Sequence, residues 1–584
     1  MWTSAVTRAR PVGGGGDDRP AGGWERWRGP VVAAGVAVPF YVLWAVLLAT
    51  GGGDLAAQFA WAGFVARHPG SAYNLGWYGG THTANYSVLA PPLMALLGVR
   101  AVSVGAGLAG TWVLGVLFVR AGVRPVRRVR RPLWPALLGA AALWCNVASG
   151  RTTFALGVAV GLTAVLCVQG RQRPWWAALC AALTALASPV AALFLVVAGA
   201  AYLLDRRWAK GAALIVPPFV VIAAITVLFP FQGEQPMSPG KLWMPLVASA
   251  ALCVAAPHGW RVVRYGAAVY AVGVVLTFLV ASPIGTNVER LVGLAGPPVL
   301  LAALLTRAPG VSSTPGTPGA PGTPGTPGAP GAPDVLKALK ARPWRVLPHL
   351  VLAAAFAVNT NWLVDKTEDD LVVSNAVPYW AAHTDGLVAA LDRLGADRTR
   401  VEVVPARNHR EADILAPYIT MARGWNRQLD VERGRLFYED TEGPLAESAY
   451  RAWLDRWAVG LVVLHHGQPD GPAEAEAALV RSGPEWLERV YEDDGWTVYR
   501  VRNAVPLVSA PASVAGGSAA DLVVRMPRPG SVTVRIAYSP WLRARGACVE
   551  RAGEWVRLTV PKAGDYRLES PYRLPHAAAD CAKG

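Results

Sequence analysis

Charge is scarce in this chain. Asp, Glu, Lys and Arg make up 16% of its 584 residues against 53% hydrophobic residues, a balance that excludes an ordinary soluble enzyme of this length. Acid is scarcer than base, 39 residues against 55, which leaves a formal net charge of +16. In a soluble protein that excess would raise the question of nucleic acid. Here the arginines fall in short loops between apolar runs, where they orient a chain in a membrane, so no nucleic-acid partner is expected. The sequence also lacks a phosphate-binding glycine loop of Walker type, a plausible zinc cluster and a nucleophile-elbow motif, so ATP hydrolysis is not expected and no metal ligands can be named, while a divalent cation as cofactor stays an open reading. His465 and His466 are adjacent on a probable strand and point to opposite faces, a poor chelating pair. Of six cysteines, Cys145, Cys167, Cys180 and Cys253 lie in or beside apolar runs. Cys548 and Cys581 lie in the charge-richer part and could form one disulfide if that part is exported.

What the chain has in abundance is apolar runs. Candidate spans cover residues 31–50, 99–119, 133–148, 152–168, 175–187, 190–204, 211–229, 242–255, 263–280, 291–305 and 346–362. Several are shorter than the roughly 20 residues that a perpendicular helix needs. The expected fold is a polytopic α-helical membrane domain of about eleven spans, followed by an extracytoplasmic α/β domain and a small β-sandwich-like module. The stretch 88–97, with Pro91 and Pro92, reads as a re-entrant or interfacial piece. The first run has no small-residue cleavage site and reads as an anchor.

Cations recur in alternate loops: Arg8, Arg10, Arg19, Arg26 and Arg28 in the tail, the 124–131 cluster, Arg171 with Arg173, Arg206 with Arg207 and Lys210, Arg261 with Arg264, and 337–345. Lys and Arg in short loops stay cytoplasmic. The expectation is a multi-pass plasma-membrane protein with a cytoplasmic N-terminus and its C-terminal domain outside. The expected boundaries are a basic tail at 1–29, a multi-span domain at 30–308 with a long first outer loop at 51–86, a Gly/Pro/Thr linker at 309–335, a last span at 344–363, an α/β domain at 364–503 and a β-rich module at 504–584. In the linker Gly recurs every third residue from Gly316 to Gly331, a collagen-like period read here as a semi-extended spacer.

The outer loops are where chemistry is expected: 51–86, 150–152, 188–189, 230–241 and 282–290. The first carries Asp54, His68 and His82 with Trp61, Tyr73, Trp77, Tyr78 and Tyr86. Asp54 follows three glycines at the start of an amphipathic stretch, where a carboxylate can take a proton from a hydroxyl or cap the helix. Arg151 and Arg290 each stand at the mouth of a span. A guanidinium there can grip a phosphate bidentately, or snorkel and pair with Glu289 or lipid headgroups. The aromatic residues and His82 can line a sugar site or serve as interfacial anchors.

The arrangement resembles the GT-C superfamily of membrane glycosyltransferases, in particular actinobacterial mannosyl- and arabinofuranosyltransferases. The resemblance rests on the acid in Gly-Gly-Gly-Asp54, the first loop returning through Ala90-Pro91-Pro92, the turn Ser149-Gly150-Arg151-Thr152-Thr153-Phe154, and Ser282-Pro283-Ile284-Gly285-Thr286-Asn287-Val288-Glu289-Arg290. It covers the membrane half. The resemblance implies a polyprenyl-phosphate sugar as donor, transfer on the outer face and Asp54 as general base; the expected acceptor is a cell-envelope glycan or lipid, and Arg151, Arg290, Glu289, Trp77, Tyr78 and His82 are the candidate substrate-binding residues by their place in the outer loops. Family members often hold a pair of acids in the first loop with a divalent cation, whereas Asp54 has no acidic neighbour before Tyr86. Open readings are therefore a metal-independent enzyme, help from Glu234 or Glu289, or a relative without catalysis. Two other classes stay open: a secondary transporter, and a non-catalytic scaffold that holds envelope polysaccharide.

Overall fold

The structure is a computed structural model that describes residues 25–123, 129, 131–169, 173–231, 233–307, 343–438 and 443–573. The linker at 309–335, residues 1–24 of the tail and most of the 124–131 cluster lie outside the described residues.

The apolar runs form helices because they are rich in Ala, Leu and Val and carry almost no charge. In chain order they are α1 (Glu25–Leu43, continued by a wider turn at Trp44–Leu48), α2 (Asp54–Arg67), α3 (Ala90–Leu97), α4 (Val99–Val123), α5 (Leu133–Ala148), α6 (Thr152–Gln169), α7 (Pro174–Ala187), α8 (Pro189–Leu204), α9 (Trp208–Leu228), α10 (Trp243–Ala255), α11 (Arg261–Leu279), α12 (Glu289–Arg307) and α13 (Pro343–Asn375). Pro174 and Pro189 open α7 and α8 at the position where a missing N–H costs nothing, and Ser188 caps α8 by accepting from the Ala191 N–H.

Among the described residues, seven helices are long and apolar enough to cross a membrane: α1, α4, α6, α9, α11, α12 and α13. The other four expected spans are shorter apolar helices: α5, α7, α8 and one ending at Ala255. At 1.5 Å per residue, the 16 residues of α5 and of α8 reach only about 24 Å. The stretch at 88–97 contains the eight-residue α3, too short to cross anything, with Leu96 and Leu97 exposed.

The last helix differs from expectation. It was expected to end at 363 but runs on to Asn375, because no Gly or Pro interrupts the chain between Asp365 and Val377. This continuation carries Lys366 and Asp370, assigned by sequence to the α/β domain, on the end of the helix.

The α/β domain holds a four-stranded sheet in the order β1 (Arg400–Val403), β2 (Val459–His465), β4 (Trp496–Val501), β3 (Leu487–Glu492). β1 and β2 run parallel, whereas the other pairs are antiparallel. The C-terminal module pairs a three-stranded sheet, β7 (Gly530–Ala537), β10 (Trp555–Val560) and β9 (Cys548–Ala552), with a four-stranded one, β5 (Ser513–Gly517), β6 (Asp521–Met526), β11 (Gly564–Glu569) and β8 (Arg543–Ala544). Its strands alternate buried and exposed residues, and Val524, Val534, Val556, Leu558 and Leu568 fill its core. Cys548 is disulfide-bonded, and Cys145, Cys167, Cys180 and Cys253 are free thiols. Cys581 lies outside the described residues.

The first loop ties the helical half to both C-terminal modules. Tyr73 and Leu75 enter the β-module core, while Trp61, Trp77 and Tyr78 enter that of the α/β domain. Ala72 and Leu75 donate backbone hydrogen bonds to Ser570 and Ala519.

Candidate functional site

The site begins with glycines. Gly51 and Gly53 have φ of +96° and +64°, a backbone region that side chains rarely adopt. Between them, a Cβ on Gly52 would lie 2.5 Å from the Ser374 carbonyl oxygen. The triple glycine therefore lets the chain leave α1 pressed against the end of α13. The α/β domain holds it there: the Gly53 N–H donates to the Asn408 carbonyl at 2.7 Å, and Trp425 Nε1 donates to the Gly53 carbonyl at 3.1 Å.

Asp54 is the first residue of α2, and the position before it belongs to Gly53. Its Oδ2 accepts from Arg151 Nε at 3.2 Å, and Arg290 Nη2 stands 3.8 Å from the same oxygen. Gly150, at φ +77°, permits this approach, since a Cβ there would sit 2.6 Å from the Leu55 nitrogen. Thr153 Oγ1 donates to Gln58 Oε1 at 2.6 Å and fixes the start of α6 on α2. Arg290 is brought in by the segment before α12, where Gly285 at φ +46° packs against the Gln235 backbone. The Arg290 guanidinium also lies over the Phe154 ring, 5.4 Å from its centroid.

Asp370 was not anticipated. Its Oδ2 accepts from Arg151 Nη2 at 2.9 Å, so Arg151 bridges two carboxylates. Lys366, one turn earlier, pairs with Glu289 at 3.8 Å and lies over the Trp362 ring. Trp362, Lys366 and Asp370 follow one another at i, i+4 and i+8 on a single helix face. That spacing, continued past the apolar run, was the signal available in the sequence.

These residues line or back a cavity of about 530 Å³, within the range of sites for small molecules. Each of the five expected outer loops contributes to its wall, through residues such as Asp54, Arg151, Ser188, Gln235 and Arg290. The α/β domain adds Trp425 to Gln428. Its charged wall carries two more cations than carboxylates: Arg151, Arg290, Lys366 and Arg427 against Asp54 and Glu289. The lining also has an apolar part, with Leu193, Val196, Phe219, Ile222 and Leu294. Phe219, in this lining, is 60% exposed.

Of the expected substrate-binding residues, Arg151, Arg290 and Glu289 meet around Asp54. Trp77, Tyr78 and His82 do not join them. Trp77 is buried against Trp61, and the Tyr78 hydroxyl donates to the Gly424 carbonyl at 2.9 Å and accepts from the Asn426 N–H at 3.1 Å. His82 hydrogen-bonds the Ala72 carbonyl at 2.8 Å and Ser539 Oγ at 3.0 Å, and burial pushes its pKa down to about 4. All three are packing residues of the loop–domain interface. Trp61 and Tyr86 do line the cavity, with ring centroids 4.0 Å apart. Glu234 pairs with Arg435 outside the lining.

The donor set does not fit a divalent cation. The guanidinium of Arg151 already stands between the carboxylates of Asp54 and Asp370, and Glu289 faces Lys366. Among the described residues, no group of three or more His, Cys, Asp or Glu side chains is arranged to hold a metal ion.

Residues 509–551, which run from the approach to β5 into β9, match a family described only as a domain of unknown function (DUF8823). No curated protein matches the chain.

Proposed function

We propose that this protein is a membrane glycosyltransferase of GT-C type that moves a sugar from a polyprenyl phosphate to a cell-envelope acceptor on the outer face of the plasma membrane. In this reading the eleven apolar helices are spans, the N-terminus is cytoplasmic and the two C-terminal modules are extracytoplasmic. The observation that carries it is one cavity lined by both cationic and apolar side chains, among them Phe219, which is 60% exposed; such a lining suits a phosphate with a hydrocarbon tail. Convergence of all five cation-poor loops on that cavity supports the orientation.

In the proposed step the lipid phosphate displaces the Asp54 carboxylate from Arg151 and Arg290. The displaced Asp54 then faces the acceptor hydroxyl and takes its proton as the oxygen attacks the anomeric carbon. A C–O bond forms to the acceptor and the C–O bond to phosphate breaks. The electron pair leaves on the phosphate oxygen, where Arg151, Arg290 and Lys366 balance the growing charge. Asp54 later returns its proton to water, and polyprenyl phosphate diffuses back into the lipid. Asp370 does not line the cavity; it holds Arg151 from behind. No step needs a metal ion.

The test is release of polyprenyl phosphate from radiolabelled polyprenyl-phosphate sugars in membranes containing the wild type or Asp54→Asn. The reading predicts transfer that Asp54→Asn lowers by roughly 100-fold or more, the usual worth of a positioned base. Equal rates in the two would remove Asp54 from the mechanism. No release from any donor would remove the enzyme reading.

A further inference from the structure

The segment that delivers Asp54 needs support from outside itself. Three successive glycines have wide backbone freedom, Gly53 offers α2 no side-chain cap, and the contact of Thr153 with Gln58 fixes α2 only one turn further on. Arg410, 4% exposed in the loop after β1, supplies that support. One arm of its guanidinium, Nη1, donates to the Thr50 carbonyl. The other, Nη2, reaches Thr50 Oγ1 at 2.8 Å and the Ser374 and Ala376 carbonyls at 2.7 and 3.1 Å. Thr50 Oγ1 in turn donates to the Ser374 and Asn375 carbonyls at 3.1 and 2.8 Å. A cation is favoured at the carboxyl end of a helix, where the last carbonyls have no partner within it, and α13 ends here at Asn375. A Cβ on Gly52 would lie 3.2 Å from Arg410 Nη2, so the triple glycine lets the chain lie close against the fork.

We infer that Arg410 is a positioning residue for the transfer: it fixes residues 50–53 against the end of α13, and through them the Asp54 carboxylate, so that the base is held in place only while the α/β domain is docked. The inference rests on the transferase reading above. Arg410 itself does not line the cavity and acts through Asp54. Its loop lies at the carboxyl ends of β1 and β2, which run parallel. There the Arg407 N–H donates to the Gln468 carbonyl at 2.9 Å, and the Asp470 N–H to the Pro405 carbonyl at 2.8 Å. Open α/β sheets hold their ligands beyond that edge. Here the group held is a piece of the same chain, since the Asn408 carbonyl and Trp425 Nε1 also engage Gly53. His409 stacks on Trp425 with ring centroids 3.5 Å apart, which joins these contacts to Arg410 in one unit. The edge of the domain that could bind a ligand thus grips the segment carrying the base.

The test uses the full chain in lipid nanodiscs with the radiolabelled polyprenyl-phosphate sugar that the wild type turns over. It compares wild type, Arg410→Lys, Asp54→Asn and the double variant. Lys keeps the charge but cannot span Thr50 and the end of α13. Arg410→Lys should lower kcat roughly 10- to 100-fold, as expected for a misplaced base. The donor KM should stay within roughly twofold, because Arg151 and Arg290 stand on α6 and α12 and bind the phosphate as before. In the Asp54→Asn background the same change should cost less than roughly twofold, since there is no base left to misplace. Hydrogen exchange reads the contact without activity: Arg410→Lys should speed residues 50–57 roughly tenfold while β2 and β4 keep their wild-type rates. The inference is overturned if kcat is unchanged, if the loss is the same with and without Asp54, or if protection falls throughout the α/β domain, which would make Arg410 a residue of general stability. Failure of wild type to release polyprenyl phosphate from any donor would instead remove the transferase reading, and this inference with it.

Discussion

Arg151 and Asp54, 97 residues apart in the chain, meet at 3.2 Å, and the other end of the same guanidinium reaches Asp370 at 2.9 Å. A fork that spans two acceptors is something Arg can provide and Lys cannot. Arg151→Lys keeps the charge and loses the fork. The expected outcome is a donor KM raised roughly tenfold and a kcat lowered by one to two orders of magnitude. Steady-state transfer kinetics check this, and a wild-type profile would show that charge alone suffices.

Gly150 allows that meeting, so its substitution should act on activity and stability together. Gly150→Ala places a Cβ 2.6 Å from the Leu55 nitrogen at a φ of +77°. The turn must shift, at a cost of about 1–3 kcal/mol, and Arg151 moves with it. Thermal unfolding and transfer rate should both fall. Loss of neither would mean that the turn adapts without disturbing Asp54.

The α/β domain carries its own buried charges. Arg423 is 2% exposed, donates to Glu402 Oε1 at 2.7 Å, and also pairs with Glu476, with both carboxylates fully buried. Burial pushes both glutamates up, and the two carboxylates hold Arg423 above its ordinary range. Arg423→Met leaves two buried carboxylates without their cation. The expected destabilisation is about 3–5 kcal/mol, measured by chemical unfolding. A triple change to Arg423→Met, Glu402→Leu and Glu476→Leu should recover much of the loss.

Acid should weaken the same domain through His465. This side chain is fully buried at the end of β2, and burial lowers its pKa from 6.5 to about 4. The unfolded chain therefore binds the proton more readily between those values. The contribution of neutral His465 is present above pH 6.5 and is lost as pH falls toward 4. At 1.36 kcal/mol per unit the full effect is ~3 kcal/mol. His465→Gln should flatten the stability profile over this window. An unchanged slope would mean that other groups govern it.

The helices were legible because an apolar run carries its own signal: the expected bounds of α5 and the observed Leu133–Ala148 coincide. The strand β3 was not foreseen. Its sequence Leu-Glu-Arg-Val-Tyr-Glu has three of six residues exposed and lies at the sheet edge, where charged residues are favoured and no apolar run forms. Asp54, Arg151 and Arg290 were legible as loop charges at span mouths. Trp77 and Tyr78 lie in the α/β core and outside the cavity lining, a difference hidden in the sequence because an aromatic residue that fills a domain core and one that stacks on a ligand look alike in a loop. Asp370 and Gln428 were missed because their place depends on where α13 ends and how the α/β domain docks, neither of which a local pattern encodes.

The central claim is that loops distant in sequence form one lipid-accessible phosphate site on the outer side of the membrane. It is tested most directly by single cysteines at positions 85, 188 and 286, in a background with the four free cysteines replaced by alanine. They are exposed to a membrane-impermeant maleimide in intact cells. The account predicts labelling at all three positions without permeabilisation, slowed at each by added polyprenyl phosphate. Labelling at any of them only after permeabilisation, or rates indifferent to the lipid, would contradict it.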